Sequence, residues 1–550
     1  MKKLFFIAAI AALMMVSCTK EKGTDGPDDG GIKGNTYASF SFGGVKTRLV
    51  TDFNPANVLE NDVNDGLIDV GDLYIIIFNA GGEMEFFAEV DANPYTALVK
   101  AGVGKRIFIL ANMGGAQTAA NVNNHLVEDA INGSQLGPIT VDGLEGLTLA
   151  EFYKVAFDAG IPQPFDVTKS SASRTFSVLP LSTRVAAGTY GLPMSNSNEY
   201  TFTFAPNVTE DDAKNSGTTP VYQGGETNNR FEVQLDYLGA KARLVMNVST
   251  LPQTIANIDQ SSATYTIKNL AKYTSLVQNV VSGNGRSIFH AYNWGTNPVQ
   301  SDFQEYFDQA SNADYIEVLT SQEKQSDPGA KSHFIFVPEN THQPSLLRGQ
   351  SSFYAMNLTY KPLFIVESYT WQPLSSSIVY NYDEWDNVKA LGSGNDHGLE
   401  GGDTYIYDPV GVENGGEVAK FFANKQVYAD AVYYSGGGTL AAYNAAAVLA
   451  QVWDGTTSSF IAPYDRVKLF KDAQSWYRID IGSGTSPNIT YGVLRGTAYT
   501  AIISDITGPG EPTEPDLFID PEIPVEAVTY INVTIKPATW THVTQVVPVE

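Results

Sequence analysis

Apolar and polar residues alternate with a period of two in many short stretches of the chain, the pattern of strands buried on one face. The first, Thr36 to Val45, has Tyr37, Phe40 and Phe42 as its apolar members. Leu73 to Phe78 is almost wholly apolar, which is typical of a central strand of a sandwich. Similar patterns predict further strands at 86–90, 106–112, 200–204, 230–248, 265–270, 287–292, 315–319, 333–338, 352–360, 363–369, 475–481 and 497–506.

Helical spacing is rare. It predicts short helices around Leu126 to Ile131 and over Leu149 to Phe157, and two more at 418–422 and 441–453. Gly191 to Ser195 is interpreted as a turn. The pattern as a whole indicates a mainly β protein with two sandwich-like bodies, each carrying a little helix, and the second body begins near residue 228.

The last residues, Val528 to Glu550, form a strand pattern of their own. Ile531, Val533 and Ile535 alternate with polar residues, and after Pro537 a second run contains Trp540, Val543 and Val547. The preceding Pro- and acid-rich stretch, 508–526, is expected to be a stiff arm that joins a core poorly. A strand with free edges either folds back on its own body or completes a neighbouring chain by strand addition.

The length of the chain limits the number of domains, and its net charge limits the kinds of partner it can bind. With 550 residues, two or three domains are expected. The formal net charge is -26, and an acidic surface repels phosphate backbones, so a nucleic-acid partner is not expected.

The N-terminus has the features of a secretory signal: two lysines, an apolar run and then Ser17-Cys18. Cys18 is the chain's one cysteine, so no intrachain disulfide is possible. Its place after Met15-Val16-Ser17 resembles a bacterial lipobox, in which the cysteine is acylated, for example with palmitate. The alternative is an ordinary signal peptide with an incidental cysteine. Thr19 to Gly34 is interpreted as a flexible tether.

The sequence shows no convincing catalytic, cofactor or metal motif. The six histidines lack metal-ligand spacing, no GxSxG elbow occurs, and the Gly-rich runs lack a phosphate-loop lysine. Asp62 to Asp69 resembles a calcium loop that lacks one residue, so an acidic surface loop is the alternative reading. We therefore expect no enzymatic activity, cofactor or metal.

Lys46-Thr47-Arg48 follows the first strand and precedes an acidic loop, a plausible site for a trypsin-like or Arg-specific protease. The alternative is a pair of solvated cations at the end of a strand.

Several motifs resemble, in order along the chain, the fimbrillin family of the Bacteroidetes, in particular shaft subunits of the short, Mfa-type fimbriae of Porphyromonas. They are the lipobox at Cys18, TYASFSF before Arg48, LYIIIF, RIFILAN, GLPMS (191–195), AKARLVMNV, FIFVPENTH (334–342), SWYRIDI, VLRGTAYTAIISDI and the terminal TYINVTIKPATWTHV with its tryptophan.

The resemblance implies two tandem transthyretin-like or Ig-like β-sandwich domains, 49–227 and 228–508, with small helical insertions. Residues 1–18 would be a lipoprotein signal peptide and 19–48 a propeptide, and 509–550 would be an arm with a donor strand. A lipoprotein precursor at the outer membrane would be cut between Arg48 and Leu49. The tail of a neighbouring copy would then fill the vacated groove through Ile531, Val533, Ile535, Trp540, Val543 and Val547, giving a cell-surface homopolymer that also joins anchor and tip subunits.

Two other functions remain open at this stage. One is a non-polymerising fimbrial anchor or tip adhesin. The other is a surface glycan-binding lipoprotein, for which Trp294, Trp371, Trp385 and Trp453 would form aromatic platforms.

Overall fold

The computed structural model describes residues 35–43, 73–111 (except 91–93), 126–158 and 194–286 with short gaps, 307–308, 315–320, 335–340, 348–385 (except 371–378), 402–518 (except 415 and 486–487) and 531–539. Within these ranges the chain is mainly β, as its sequence predicts.

The elements of the first half, in chain order, are β1 (Asn35–Gly43), β2 (Leu73–Phe78), β3 (Met84–Glu89), β4 (Tyr95–Lys100), β5 (Gly102–Ala111), β6 (Leu126–Asp129), β7 (Leu136–Ile139), α1 (Leu149–Phe152), β8 (Val155–Asp158), β9 (Met194–Asn196), β10 (Tyr200–Phe204), α2 (Glu210–Asn215), β11 (Gly224–Glu226), β12 (Arg230–Tyr237), β13 (Gly239–Met246), β14 (Ala256–Lys268), β15 (Leu270–Ala271), β16 (Tyr273–Ser275), β17 (Asn279–Val281) and β18 (Asn284–Arg286).

The elements of the second half are β19 (Phe307–Asp308), β20 (Ile316–Glu317), β21 (Leu319–Thr320), β22 (Ile335–Pro338), β23 (Phe353–Pro362), β24 (Phe364–Thr370), β25 (Val379–Glu384), β26 (Tyr405–Asn414), β27 (Glu417–Phe422), α3 (Lys425–Ser435), α4 (Ala445–Leu449), β28 (Trp453–Asp454), β29 (Ser459–Phe460), β30 (Lys468–Phe470), β31 (Gln474–Asp480), β32 (Gly482–Thr485), β33 (Asn488–Tyr491), β34 (Thr497–Ile506) and β35 (Ile531–Thr539). Short 3₁₀ turns lie at Asp142–Leu144, Arg348–Gln350, Leu440–Ala442 and Glu514–Phe518.

The N-terminal body is built on the strand order β11-β10-β5-β9-β12-β1-β4, with β2 and β3 added to β5. β12 links two halves of this sheet, because its first residues pair with β1 and its last residues pair with β9. All six residues of β2 are buried, as the apolar run predicts. Side chains from both halves meet in a single apolar core.

The C-terminal body contains a sheet ordered β21-β13-β34-β35-β32-β33 and a four-stranded sheet ordered β20-β14-β23-β31. Both sheets contribute to a second apolar core. The chain passes from the first body to the second at Leu238, between β12 and β13. A third core lies between the sheet β25-β24-β27-β26-β30 and helices α3 and α4.

Four local predictions are wrong, one of them in part. The helix predicted over Leu149 to Phe157 ends at Phe152, and Val155–Asp158 is strand β8. Leu126–Asp129 is a strand, because it pairs with β7 and β8. Glu417–Phe422 is also a strand, since β26 satisfies its backbone. Met194 and Ser195, expected in a turn, belong to β9 between β5 and β12. In each case, backbone pairing with neighbouring strands outweighs the side-chain pattern of the segment itself.

Candidate functional site

The first strand, β1, lies inside the N-terminal sheet and has a partner on each edge. It runs parallel to β12, with Ser39 opposite Arg230 and Gly43 opposite Gln234. It runs antiparallel to β4, with Asn35 opposite Lys100 and Phe40 opposite Tyr95. In the described part of the chain β4 pairs with β1 alone. Removing β1 would therefore leave two strands with unpaired backbone edges, and we call this position the β1 slot.

Alternate side chains of β1 lie in the core, and Ser39 on the other face is also buried, at 4% exposed. Thr36, Ala38 and Phe40 are 0% exposed, and Phe42 is 8% exposed. The ring of Phe40 packs against Phe204 and Phe231, with both pairs of ring centroids 6.1 Å apart. Because one aromatic side chain buries a large apolar area, β1 is a component of the core and not a covering strand.

A polar hub closes one end of the slot. Asn229, fully buried and in the left-handed region at φ 53°, donates through Nδ2 to Thr36 Oγ1 (3.0 Å), the Tyr37 carbonyl (3.0 Å) and the Ala205 carbonyl (2.9 Å). Asparagine tolerates this backbone region better than most residues. The Asn229 carbonyl accepts from Ser39 N at 2.8 Å. Backbone and side chain of one residue thus hold three positions of the strand, 36, 37 and 39.

Thr36 occupies the centre of this hub. Its hydroxyl donates to the Ala205 carbonyl (2.7 Å) and accepts from Val208 N (3.0 Å) as well as from Asn229. Any strand in the slot must therefore supply a hydroxyl at this position or leave the buried Val208 N without an acceptor. The sequence did not single out Asn229 or Thr36, because their partners are about 170 to 190 positions apart along the chain.

Thr36→Val is expected to lower the free energy of unfolding of the precursor by about 1–3 kcal/mol, because it leaves Val208 N without an acceptor in the core, whereas Asn229 Nδ2 keeps the Tyr37 and Ala205 carbonyls. Thr201→Val, the same change at an exposed position of β10, is the matched control and should have little effect. Urea unfolding of both variants measures the difference. Equal stabilities would show that the hub does not hold β1.

The residues predicted to be processed lie on either side of β1 in the sequence, with Cys18 before it and Arg48 and Leu49 after it. β1 ends at Gly43, five positions before Arg48. Cys18, Arg48 and Leu49 lie outside the described residues, so the lipidation and cleavage sites stay predictions.

The C-terminal strand folds back on its own body, one of the two alternatives that its pattern left open. β35 pairs antiparallel with β34, from Ile531 opposite Ile506 to Thr539 opposite Thr497. On its other edge it pairs with β32 at Thr534 and Ile535. The strand contains Ile531, Val533 and Ile535 of the predicted donor set, whereas Trp540, Val543 and Val547 lie outside the described residues.

The expectation that the arm joins a core poorly is wrong for its first part. Gly508, Pro509 and Gly510 are buried, and Leu517 is 1% exposed in a cluster with Phe353. A Cβ at Gly510 (φ +59°) would lie 2.4 Å from the Trp476 carbonyl oxygen, so only glycine fits this close approach.

Polar contacts hold the same segment. Glu511 and Trp476 exchange two backbone hydrogen bonds of 2.8 Å. The Glu514 carboxylate pairs with Lys268 at 2.8 Å and accepts from the Tyr315 hydroxyl at 2.5 Å. Burial, and then the bond to Glu514, raise the pKa of Tyr315. Residues 508–518 therefore form a docked root from which the tail departs.

The described part of the chain gives little support to the other candidate sites, the acidic calcium-like loop and the tryptophan platforms for glycans. All six histidines and the acidic loop Asp62 to Asp69 lie outside it, and no group of three potential metal ligands occurs within it. Trp385, one of the proposed glycan platforms, is 3% exposed in the second core, so that prediction is wrong. Trp453 is partly buried, with Lys425 Nζ 4.3 Å from its ring centroid, and Trp294 and Trp371 are not described.

No family model and no curated protein matches the chain. Among solved structures it is similar to a fimbrilin from Porphyromonas gingivalis W83, with 14% identity over 93% of this chain and 99% of the other and a TM-score of 0.38. It is also similar to the tip fimbrial protein Mfa3 of Porphyromonas gingivalis, with 12% identity, 92% and 100% coverage and a TM-score of 0.32. TM-scores of this size do not establish a common fold. Within the described residues no helix has the length and apolarity needed to cross a membrane.

Proposed function

We propose that this chain is the structural shaft subunit of a cell-surface fimbria. Its precursor is a lipoprotein acylated on Cys18 and held at the outer membrane. A trypsin-like or Arg-specific protease cuts after Arg48, which releases the lipid and β1 together. The C-terminal tail of a second copy then fills the β1 slot, and repetition gives a filament that supports adhesion and biofilm growth.

The observation that carries this proposal is the position of β1. It is paired on both edges, it supplies core side chains, and it lies directly before a basic pair that a protease could cut. Strands so placed are not normally dispensable, because their loss exposes unpaired backbone groups and an open core. A chain cut at Arg48 is therefore stable only if another strand enters the slot.

The C-terminal tail is suited to that task. A strand of this length supplies roughly 10 main-chain hydrogen bonds at ~1 kcal/mol each. Buried aliphatic side chains add roughly 1.5–3 kcal/mol apiece, while ordering the tail costs on the order of 1–2 kcal/mol per residue. The net gain is modest, so filament strength is kinetic: a strand enclosed in a sheet leaves slowly.

The resulting contact is heterologous, because a tail on one face of the molecule meets a slot on another. Such contacts continue into fibres and do not close. Anchor and tip subunits of the same filament would then be partners with a compatible slot or tail. A non-polymerising anchor or tip remains the alternative function, since it would share the fold but keep its lipid or lack a donating tail.

The test is the intact mass and N-terminal residue of the protein sheared from the cells that make it. We expect a chain that starts at Leu49 and carries no lipid. A chain that starts at acylated Cys18 would mean that β1 still fills its slot, and it would favour the anchor.

Arg48→Ala is expected to give an uncut, lipidated monomer, because the protease loses its basic residue. Electron microscopy and the mass of the membrane-bound form report the outcome, with Lys46→Ala as the matched control that should still be cut. Normal filaments from Arg48→Ala would move the cleavage to another basic residue.

A further inference from the structure

We propose that residues 529–535 of a second copy replace residues 36–42 position by position, in the same direction and the same register. Thr529 takes the place of Thr36, and Ile535 takes the place of Phe42. This assignment rests on the proposed function and adds to it which part of the tail is donated and how it is aligned.

The two segments correspond along their whole length. Thr36 to Phe42 is TYASFSF, and Thr529 to Ile535 is TYINVTI. Both begin with Thr-Tyr, then alternate an apolar residue with a small polar one, and both place a hydroxyl residue before the last apolar position. Since a shift of one residue would turn every side chain to the opposite face of a sheet, shared parity favours one alignment.

The buried hub gives the strongest reason for this register. The hydroxyl of Thr36 makes three hydrogen bonds, two of them from donors with no access to water. Thr529 would bring the same hydroxyl to Val208 N and Asn229 Nδ2. The backbone nitrogens of Tyr530 and Asn532 would replace those of Tyr37 and Ser39, which donate to the Val208 and Asn229 carbonyls.

The other threonines of the tail fit less well. Alignment on Thr539 would place Gln545 at the position of Phe42, which is 8% exposed. Alignment on Thr541 would place Gln545 at the position of Phe40, which is 0% exposed between Phe204 and Phe231. Alignment on Thr534 would bring Lys536 to the position of Ala38, and alignment on Thr544 would bring Pro548 and Glu550 into the core. Burying a lone charge or amide there carries a large cost.

The exchange changes the sizes of the core side chains along the slot but adds no charged side chain. Ile531 is larger than Ala38, whereas Val533 and Ile535 are smaller than Phe40 and Phe42. Asn532 would take the place of Ser39, which is 4% exposed and whose hydroxyl oxygen lies 3.3 Å from that of Thr96, so the Asn532 amide would have Thr96 as a hydrogen-bond partner.

The same residues have a second place in the fold. Ile531 to Ile535 pair with β34 and β32 of their own body. A tail therefore cannot fill a neighbour's slot while it is paired with its own body. Subunit addition requires it to separate from β34 and β32. The docked root at 508–518 need not move for this to happen.

Engineered cysteines test the register. In the filament, Asn532→Cys together with Thr96→Cys is expected to form disulfides between subunits, because directly opposed antiparallel residues lie within disulfide reach. The only native cysteine, Cys18, lies upstream of Arg48 and is lost on processing. Non-reducing gels should show a ladder of covalent multimers that collapses to monomer on reduction, and single-cysteine variants should show none.

Three matched pairs define the outcomes that overturn the register. With Thr96→Cys kept, a ladder from Thr534→Cys or from Tyr530→Cys would mean a slip by two residues. A ladder from Thr544→Cys would mean that the second run of the tail is donated. Each of these results would contradict the register while filaments still form. Absence of filaments from the unmodified chain would contradict the proposed function itself.

A variant pair without cysteine gives an independent readout. Thr529→Val should reduce filament yield roughly tenfold or more, because the buried Val208 N then lacks an acceptor. Thr541→Val, the same change in the second run, should leave the yield unchanged. Equal effects of the two substitutions would contradict the proposed register.

Discussion

A chain that lacks residues 528–550 is expected to be exported and cut after Arg48 but to form no filaments. The truncation removes every residue that could fill the slot of a neighbour. It also removes β35 from between β34 and β32, so circular dichroism of the truncated chain is needed to show that the C-terminal body still folds. Because the donor is lost from every copy, the expected effect is complete. Electron microscopy of the cell surface and size-exclusion chromatography of the sheared material measure it.

A shorter truncation is the matched control. Removing only 540–550 keeps β35 and the segment 529–535, so filaments should still form. Filaments from the longer truncation would contradict the donor role of the tail. Loss of filaments from both truncations would retain the donor role but place the essential residues in the second run.

Glu339→Gln is expected to lower the free energy of unfolding by about 3–5 kcal/mol, because it leaves a buried arginine without its counter-charge. Glu339 and Arg495 are both 0% exposed, and their nearest contacts are 2.5 and 2.7 Å. Arg495 Nη1 also donates to Ser195 Oγ of β9 at 3.0 Å, and Nη2 donates to the Ser275 carbonyl at 2.7 Å. The pair thus links the sheet that contains the β1 slot to the C-terminal body.

Urea unfolding of the soluble precursor without its signal peptide measures this loss. Glu199→Gln is the matched control, since Glu199 pairs with Arg106 at 2.8 Å but both side chains are about a third exposed. Its removal should change stability by at most ~1 kcal/mol, because exposed pairs contribute little. A change at Glu339 no larger than that at Glu199 would show that the junction does not depend on the ion pair.

Strand patterns were predictable wherever local sequence and final burial agree. Leu73 to Phe78 is apolar at every position and is buried at every position. The pattern Thr497 to Ile506 predicts β34 to the residue. Leu126, in contrast, has helix-compatible neighbours, and only its pairing with β7 and β8 makes it a strand. Local spacing carries no information about partners that approach from elsewhere in the chain.

The arm illustrates the same limit. Proline and acidic residues from 508 to 526 indicate an extended segment, and Glu514 by itself suggests a solvated charge. Lys268 and Tyr315, some 200 to 250 residues earlier, supply the partners that dock it. Composition describes the stiffness of a segment, but its attachment depends on groups that the fold brings to it.

By itself the sequence determined the strand-rich class, the strand character of β1 and the strand character of the tail, because these follow from short-range periodicity. It also contains the likeness of TYASFSF and TYINVTI. Only the tertiary structure decided that β1 is an inner strand, that Val208 N requires a hydroxyl at position 36, and that β35 pairs with β34. Those features depend on hydrogen bonds and packing between residues far apart in the chain, which no local pattern can encode.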